Sequence, residues 1–366
     1  MDRAAIRHIG RDLQRPECVL AERDGIVWAA DARGGVMRIA PDGNQRLIAP
    51  AQAPLAHADF EARYVQSQGS LPNGMTFLEN GDFLVANWGS DSVEVMTRGG
   101  RVRRLFDRID GQPQGKANFP LRDSRGRLYL TVTTRMQPWT DSINDRSCDG
   151  YIALFDKNGN ARIVADGFEG TNEIRLDAQE EWMYVVESNA RRISRLRVLP
   201  DGGLGEREVY GPARLEGFPD GFAFDSFGNL WVTLVMTDKL IAITPEGEVL
   251  TLLDDSNVAA TLALDAHYEA RTLTPEIMAA ARVGFRTGGS PHLHRPECAG
   301  EPGHRLPTAA ARCAALDTRK AFQAIPEPGR DATPTGRPNE RRRATDAHRC
   351  PHIDGKSGSG FAGRTF

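Results

Sequence analysis

Residues 220–253 read DGFAFDSFGNLWVTLVMTDKLIAITPEGEVLTLL, and the pattern of this segment indicates the fold class. Apolar residues alternate with polar ones in short runs, and turns that contain Gly separate the runs. Such a pattern is typical of antiparallel hairpins. Four earlier stretches follow the same pattern, and they begin at Glu17, Asn73, Asn118 and Asn172. Each of the five stretches predicts about four strands.

The unit recurs every ~45 to ~55 residues, which is the length of one β-propeller blade. A helical solenoid is disfavoured because the apolar period is two rather than 3.6. We therefore expect an all-β propeller with five recognisable blades. Residues 258–283 differ, since Ala, Leu and Glu dominate there and the Thr274–Glu276 sequence is typical of a helix start. One or two helices are predicted after the fifth blade.

The composition changes near Arg282. From there to Phe366, Pro, Arg, His and Ala accumulate, Trp and Tyr are absent, and strand alternation ends. A segment of this composition cannot bury much apolar surface. We therefore expect a propeller domain over residues 1–282 and a low-complexity, disordered tail over residues 283–366.

The net charge of −3 gives no basic footprint for nucleic acid. No apolar run approaches the ~20 residues that a membrane span needs. Residues 1–15 are charged and lack the apolar segment of a secretory signal. We therefore expect a cytoplasmic protein whose partner is a small-molecule substrate, with no nucleic acid and no membrane.

One polar residue occupies the same phase of every unit, eight residues before the first turn: Glu17, Asn73, Asn118, Asn172 and Asp220. Equivalent positions of a propeller lie at one height around its axis, so these side chains are expected to converge on one mouth of the channel. An all-oxygen set suits Ca²⁺, Mg²⁺ or Mn²⁺ better than Zn²⁺. The alternative is that Asn and Asp begin strands by bonding local backbone. Glu17 argues against that alternative, since Glu is not a turn former.

Four segments resemble the SMP-30/gluconolactonase/LRE family in their order and spacing: ECV (17–19), TNE (171–173), YVVES (184–188) and FPDG (218–221). The resemblance covers about residues 15–282. It implies a six-bladed β-propeller with one divalent metal in the central channel, and the hydrolysis of lactones. It also implies metal ligands at Glu17, Asn172 and Asp220, an acid/base role for Asp220, and a substrate or metal-water contact at Asn118.

The chain also departs from the family pattern. Sugar lactonases of the family carry Arg two residues before the third-blade Asn and Asp directly after it, where this chain has Lys116 and Phe119. These two residues, with Asn73 and Asn118, are the predicted substrate contacts. An aromatic ring in place of the carboxylate predicts a pocket less suited to a polyhydroxylated sugar.

The sixth blade that the family needs is predicted to be degenerate or missing. The segments FRTGG (285–289) and GHRLP (303–307) resemble remnants of it. The Arg, Pro, Ala and His bias around them suggests a frameshift in the coding sequence. A genuine disordered tail is the alternative.

These inferences give a first hypothesis, a divalent-metal-dependent hydrolase of a lactone or related cyclic ester. Ca²⁺ is the expected metal, with Mg²⁺, Mn²⁺ or Zn²⁺ as alternatives. The metal would act as a Lewis acid and Asp220 as the general base. Two other hypotheses stay open: a non-catalytic propeller that binds a metal or small ligand, and a degenerate, inactive family member with an open ring.

Overall fold

The structure is a computed structural model that describes residues 6, 8–50, 60–156 and 160–256. Within these residues the strands form five antiparallel sheets of four strands each, and one small two-stranded hairpin. In every four-stranded sheet the strands follow one another in chain order. These sheets are the five blades of a β-propeller, so the predicted all-β class and the five predicted blades are confirmed.

The strands of the five blades have the following bounds. Blade 1 contains β1 (Val19–Ala21), β2 (Val27–Asp31), β3 (Gly35–Ile39) and β4 (Gln45–Ile48). Blade 2 contains β5 (Pro72–Phe77), β6 (Phe83–Asn87), β7 (Ser92–Met96) and β8 (Val102–Phe106). Blade 3 contains β11 (Ala117–Arg122), β12 (Leu128–Val132), β13 (Gly150–Phe155) and β14 (Ala161–Phe168). Blade 4 contains β15 (Thr171–Leu176), β16 (Trp182–Glu187), β17 (Arg192–Val198) and β18 (Leu204–Tyr210). Blade 5 contains β19 (Phe218–Phe224), β20 (Leu230–Val235), β21 (Lys239–Ile243) and β22 (Val249–Asp254).

The connections between blades hold the remaining elements. Helix α1 (Phe60–Gln66) lies between blades 1 and 2, and the short helix α2 (Asp141–Asn144) lies within blade 3. Strands β9 (Arg108–Ile109) and β10 (Gln112–Pro113) form the two-stranded hairpin. Neither helix was predicted from the sequence, because α1 lies between two repeating units and α2 lies in the connection between β12 and β13, outside the strand pattern.

The first turn of every blade needs a left-handed backbone. Four of these turns use glycine with φ between 77° and 84°: Gly25, Gly81, Gly126 and Gly228. In blade 4 the position is Glu180, which adopts a φ of 54°. Its carboxylate accepts hydrogen bonds from the Ser124 amide at 2.7 Å and from the Ser124 hydroxyl at 2.6 Å. A contact with blade 3 therefore accompanies the turn that lacks glycine.

Aromatic pairs join neighbouring blades: Trp28 with Phe83 (ring centroids 5.0 Å apart), Phe106 with Phe155 (4.1 Å) and Tyr184 with Phe224 (4.9 Å). Such contacts add to the gain from burying apolar area. The innermost strands β1, β5, β11, β15 and β19 are neighbours in that order around the axis. Each blade is thus positioned by the faces of the blades beside it.

The innermost strands of blades 2 to 5 carry the same β-bulge. In blade 2, Pro72 pairs with Asn87 and Met75 with Val85, so three steps on the inner strand match two on its partner. Equivalent shifts separate Ala117 from Pro120, Thr171 from Ile174, and Pro219 from Phe222. A bulge adds one residue, bends the strand and redirects its side chains. Each bulge contains the polar residue at the predicted phase and the residue after it.

Two sequence predictions lie outside the described residues. These are the helical insert at residues 258–283 and the sixth blade with its tail at residues 283–366. The boundary at residue 282 therefore stays a prediction. Among the helices that the structure describes, none is long and apolar enough to cross a membrane.

The bulges of blades 2 and 5 predict unequal costs for adding a methyl group. A Cβ on Gly74 would lie 2.5 Å from the backbone oxygen of Asn118 and 2.6 Å from Cα of Phe119. A Cβ on Gly221 would instead lie 3.0 Å from a carboxylate oxygen of Glu173, at the end of a flexible side chain. We expect Gly74→Ala to lower the free energy of unfolding by about 1–3 kcal/mol and Gly221→Ala to lower it by less. Equal costs in urea unfolding would contradict this account of the bulges.

Candidate functional site

All five phase-matched residues line one recess, which opens to solvent: Glu17, Asn73, Asn118, Asn172 and Asp220. In blades 2 to 5 the recess lies where the innermost strand begins, and in blade 1 it lies just before β1. The structure therefore brings together the side chains that the repeat pattern selected. Their roles as ligands or catalytic groups stay predictions.

In blades 2 to 5, the residue directly after each phase-matched polar residue also lines the recess: Gly74, Phe119, Glu173 and Gly221. In an unbroken strand, consecutive side chains point to opposite faces. The bulges remove that alternation, so two successive residues from each inner strand reach the same cavity. Glu173 was missed by the sequence analysis for this reason, because alternation places it away from the axis.

A hydrogen-bond relay orients Asn118. Its Nδ2 donates to the Thr133 hydroxyl at 3.1 Å, and that hydroxyl donates to the backbone oxygen of Thr171 at 2.8 Å. The relay joins blade 3 to the first residue of β15 in blade 4. With its amide nitrogen engaged, Asn118 keeps its Oδ1 buried with no hydrogen-bond partner among the described residues. A buried acceptor of this kind suits a cation, a water or a substrate hydroxyl.

The same relay recurs one blade further on. The Nδ2 of Asn172 donates to the Ser188 hydroxyl at 3.0 Å, and Ser188 donates to the backbone oxygen of Pro219 at 2.7 Å. The same Nδ2 also donates to Oδ1 of Asp220 at 2.6 Å. Blade 4 thus fixes both its own amide and the carboxylate of blade 5.

Burial makes the carboxyl group of Asp220 reluctant to ionise. Desolvation first, and then repulsion from Glu17, raises the pKa of Asp220 to about 7. The hydrogen bond from Asn172 and the charge of Arg15 oppose this rise but do not cancel it. The two carboxylates therefore share a poorly solvated site that favours a cation between them.

Glu173 carries a third buried carboxyl group at the recess. Burial raises its pKa, and the guanidinium of Arg175, which forms an ion pair with it, acts in the opposite direction. The Arg175 guanidinium also lies 4.8 Å from the centroid of the Phe119 ring. Phe119 is itself almost fully buried. Phe119 therefore lies at the recess with an arginine over its ring, and its predicted contact with substrate stays a prediction.

Arg15 supplies a positive charge beside two of the residues that line the recess. Its Nη2 donates to Oε1 of Glu17 at 2.9 Å and to Oδ1 of Asn73 at 2.8 Å. Its guanidinium lies 4.2 Å from the centroid of the Tyr64 ring. Burial acts to lower the pKa of Arg15, but the charges of Glu17, Tyr64 and Asp220 raise it above its ordinary value. Arg15 was not selected from the sequence because it precedes the repeating phase by two residues.

The backbone of Arg15 is strained. Its φ is 46°, in the left-handed region that non-glycine residues rarely adopt, and Pro16 follows it. Strain of this kind persists where the surroundings fix a side chain, and it is common at functional sites. Here the fixed side chain is the guanidinium between Glu17 and Tyr64.

An aromatic cluster stands next to Arg15. Tyr64 of α1 stacks on Trp88, with ring centroids 5.4 Å apart, and meets the edge of Trp139 at 5.2 Å. The indole nitrogen of Trp139 donates to the backbone oxygens of Tyr64 at 3.2 Å and of Val65 at 3.1 Å. The cluster anchors α1 above this end of the propeller.

Lys116 lies outside the recess. Its side chain is fully buried, and its ammonium donates to Asp91 and, at 3.3 Å, to the backbone oxygen of Trp88. The structure thus places it beside the aromatic cluster rather than among the lining residues. Its predicted substrate contact is not among those that the structure brings together.

The donor set fits a hard divalent cation. Among the described residues no three His, Cys, Asp or Glu side chains form a metal-binding group, so a metal here would need amide oxygens. The carboxylates of Glu17 and Asp220 with the amide of Asn172 provide such a mixed oxygen set. The unpartnered Oδ1 of Asn118 is a further acceptor at the recess, and a nearby cation would favour the ionised form of the buried Asp220 carboxyl group.

Comparison with known families agrees with this architecture. Residues 55–273 match the model of the SMP-30/Gluconolactonase/LRE-like region. The chain belongs to this family. The match spans blades 2 to 5 and so includes four of the five polar positions at the recess.

Two curated relatives carry names that refer to different enzymes. A strictosidine synthase-like protein 10 of Arabidopsis thaliana is 27% identical over 177 residues, which are 47% of this chain and 46% of that protein. A 6-deoxy-6-sulfogluconolactonase of Pseudomonas putida is 26% identical over 175 residues, which are 47% of this chain and 57% of that protein. The chain thus spans about half the length of the curated relatives it matches.

Solved structures share the fold. A gluconolactonase from Xanthomonas campestris superposes with a TM-score of 0.53 at 17% identity, covering 67% of this chain and 77% of that chain. A calcium-binding regucalcin from Agrobacterium tumefaciens gives a TM-score of 0.50 at 15% identity, covering 65% and 73% of the two chains. At these identities the likeness shows the propeller fold and nothing finer.

The raised pKa of Asp220 predicts that metal-free protein loses stability as pH rises. Between about pH 4 and about pH 7 the unfolded chain ionises this carboxyl group while the folded chain keeps it protonated, so the free energy of unfolding falls with pH. Asp220→Asn removes this loss and keeps an acceptor for Asn172. In chelator at about pH 8, we expect the variant to be more stable than the wild type by roughly 2–4 kcal/mol, with the difference closing near pH 4.

Asp225 provides a control, because its pKa is shifted in the opposite direction to that of Asp220. Its pKa is lowered, because hydrogen bonds from Asn229 and Trp231 outweigh the effect of burial. Asp225→Asn should therefore reduce stability near pH 8. If urea unfolding shows Asp220→Asn to be no more stable than the wild type near pH 8, Asp220 is ionised without cost in the folded protein and the prediction is wrong.

Proposed function

We propose that this chain hydrolyses a lactone or a related cyclic ester in a reaction that depends on one divalent metal ion, with Ca²⁺ the expected metal. The observation that carries the proposal is the convergence of two carboxylates and three amides on one recess. Membership of the SMP-30/gluconolactonase/LRE-like family supports the reaction class. The gluconolactonase and calcium-binding regucalcin among the similar structures are compatible with it.

The metal would be held by Glu17, Asn172 and Asp220. When bound, it would polarise the lactone carbonyl as a Lewis acid and lower the pKa of a nearby water. The residues of the chain would orient the metal ligands. The relay through Ser188 fixes the Asn172 amide, and the hydrogen bond from Asn172 fixes Oδ1 of Asp220.

Asp220 is proposed as the general base. Its Oδ1 accepts from Asn172, which leaves Oδ2 to take a proton from the attacking water. The water oxygen bonds to the carbonyl carbon, the ring C–O bond breaks, and the proton passes to the departing alkoxide. The product is an open-chain hydroxy acid. The amides of Asn118 and Asn73 would orient the substrate or the water.

Phe119 is proposed to set the substrate class. Phe119 is among the residues that line the recess, and its side chain is apolar with no hydrogen-bonding group for a sugar hydroxyl. Lys116, the other departure from the sugar-lactonase pattern, is paired with Asp91 instead. The proposed substrate is therefore an alkyl or aryl lactone rather than a polyhydroxylated one.

A non-catalytic, metal-binding propeller is the second candidate. The observation that favours it is the Arg15 side chain, which donates to Glu17 and Asn73 and so already engages two of the predicted site residues. Metal binding without turnover of any lactone in a panel would favour this candidate.

Glu17→Gln tests the metal ligand. The change removes one negative charge and keeps the shape, so we expect weaker binding of Ca²⁺ and Mn²⁺ in calorimetric titration. Glu79→Gln is the matched control, because Glu79 is an exposed residue that pairs with Arg122 away from the recess. Affinities that are the same in Glu17→Gln and wild type for every metal tested would remove Glu17 from the ligand set.

Asp220→Asn tests the base. Loss of a general base is expected to lower kcat for lactone hydrolysis by about 10²–10⁴-fold. Asp225→Asn, at a site removed from the recess, should retain kcat. Activity can be followed by proton release from γ- and δ-lactones in weak buffer. A variant at position 220 that retains wild-type kcat would exclude Asp220 as the base.

Phe119 at the recess predicts substrate preference. We expect kcat/KM to be higher for alkyl- or aryl-substituted γ-lactones than for gluconolactone, because the buried ring gains contact area with an apolar group. Phe119→Asp should narrow or reverse that preference. A wild-type preference for gluconolactone would show that Phe119 does not set the substrate class.

A further inference from the structure

Arg15 has a feature that the proposed reaction does not use. Its Nη2 donates to two of the five phase-matched side chains, at Oε1 of Glu17 and Oδ1 of Asn73. Glu17 is also one of the ligands proposed for a divalent metal. The Arg15 side chain is 7% exposed, so its charge acts in a poorly screened environment.

Two further contacts show that this placement is built into the fold. The guanidinium lies over Tyr64, whose ring is fixed by Trp88 and Trp139. The left-handed backbone of Arg15, at φ 46°, directs the side chain to that position. Its Nη1 is buried and has no hydrogen-bond partner among the described residues. The guanidinium is therefore held mainly by Glu17, Asn73 and the aromatic ring.

We propose that Arg15 is a resident counter-cation that competes with the divalent metal for Glu17 and so sets the metal affinity of the site. This inference rests on the part of the proposed function that assigns a divalent metal ion to the recess. Arg15 neutralises Glu17 when no metal is present, since two nearby carboxylates otherwise repel each other. Binding a metal at Glu17 then requires loss of the Arg15–Glu17 ion pair, or close approach of two positive charges.

The direction in which metal affinity changes when Arg15 is removed distinguishes competition with the metal from a structural role. If Arg15 only orients Glu17 for the metal, its removal should weaken metal binding. If Arg15 competes with the metal, its removal should strengthen metal binding and at the same time lower the stability of the metal-free protein. Arg15 is in either case a positioning residue, because the proposed reaction gives it no contact with reacting atoms.

The experiment compares Arg15→Met with wild type in calorimetric titrations of chelator-treated protein with CaCl₂ and MnCl₂ at low ionic strength. Methionine keeps a long, flexible side chain without charge. We expect Kd to fall roughly tenfold or more in Arg15→Met. Arg15→Lys, which keeps the charge but not the planar guanidinium, should stay closer to wild type.

Arg122→Met is the matched control, since it removes the same charge from an arginine that pairs with Glu79 on the surface. Its Kd should equal that of the wild type. Metal-induced increases in Tm give a second measurement. At one metal concentration the increase should be larger for Arg15→Met, because stabilisation by a ligand grows as its Kd falls.

Tyr64→Leu keeps the proposal testable if Arg15→Met does not fold. It removes the aromatic surface under the guanidinium and leaves the ligands in place, so metal affinity should again rise. Unchanged or weaker metal binding in variants that fold would overturn the proposal, and so would failure of every variant to bind either metal. Lactone turnover is measured separately. Absence of turnover with tighter metal binding in Arg15→Met would overturn the proposed hydrolase and support the counter-cation.

Discussion

Two carboxylates, those of Glu17 and Asp220, face one buried axis, and the rest of the site depends on this constraint. Removing charges from water is costly unless they are paired or hydrogen-bonded. The chain compensates in two ways. Arg15 pairs with Glu17, and Asn172 donates to Asp220. Burial and the charge of Glu17 nevertheless raise the pKa of Asp220 to about 7. The site is thus arranged for more positive charge than the described residues supply.

The backbone of the inner strands makes this arrangement possible. Each bulge of blades 2 to 5 turns two successive residues toward the axis. Glu173 and Phe119 therefore line the recess beside the repeating polar residues. The hydroxyl relays through Thr133 and Ser188 then tie one blade's amide to the next blade's backbone. Orientation of the polar groups is therefore a property of neighbouring blades together, not of single blades.

The sequence predicted the features that recur in every blade and missed the site residues that do not recur. Period-two alternation and glycine turns were sufficient for five blades, and the common phase was sufficient to bring five polar residues to one recess. Glu173 was missed because a bulge reverses the alternation that would turn it away. Arg15 lies outside the repeat, so the sequence pattern did not select it. The structure shows its role because Tyr64 of α1 lies against its guanidinium. Lys116 was expected at the recess from family spacing, yet the nearby Asp91 draws its ammonium elsewhere.

The same features that suit the recess to chemistry make it unfavourable for stability. A strained backbone at Arg15, a buried acceptor on Asn118 without a described partner, and an Asp220 that resists ionisation each raise the energy of the folded chain. A cation at the axis would relieve the last two at once, because it satisfies an oxygen and favours the ionised carboxylate. Folding and metal binding are then linked, and any group that already supplies positive charge there lowers what the metal can contribute. Arg15 is the described residue in that position, which is why its charge, rather than its contacts alone, decides how tightly the recess would hold a metal.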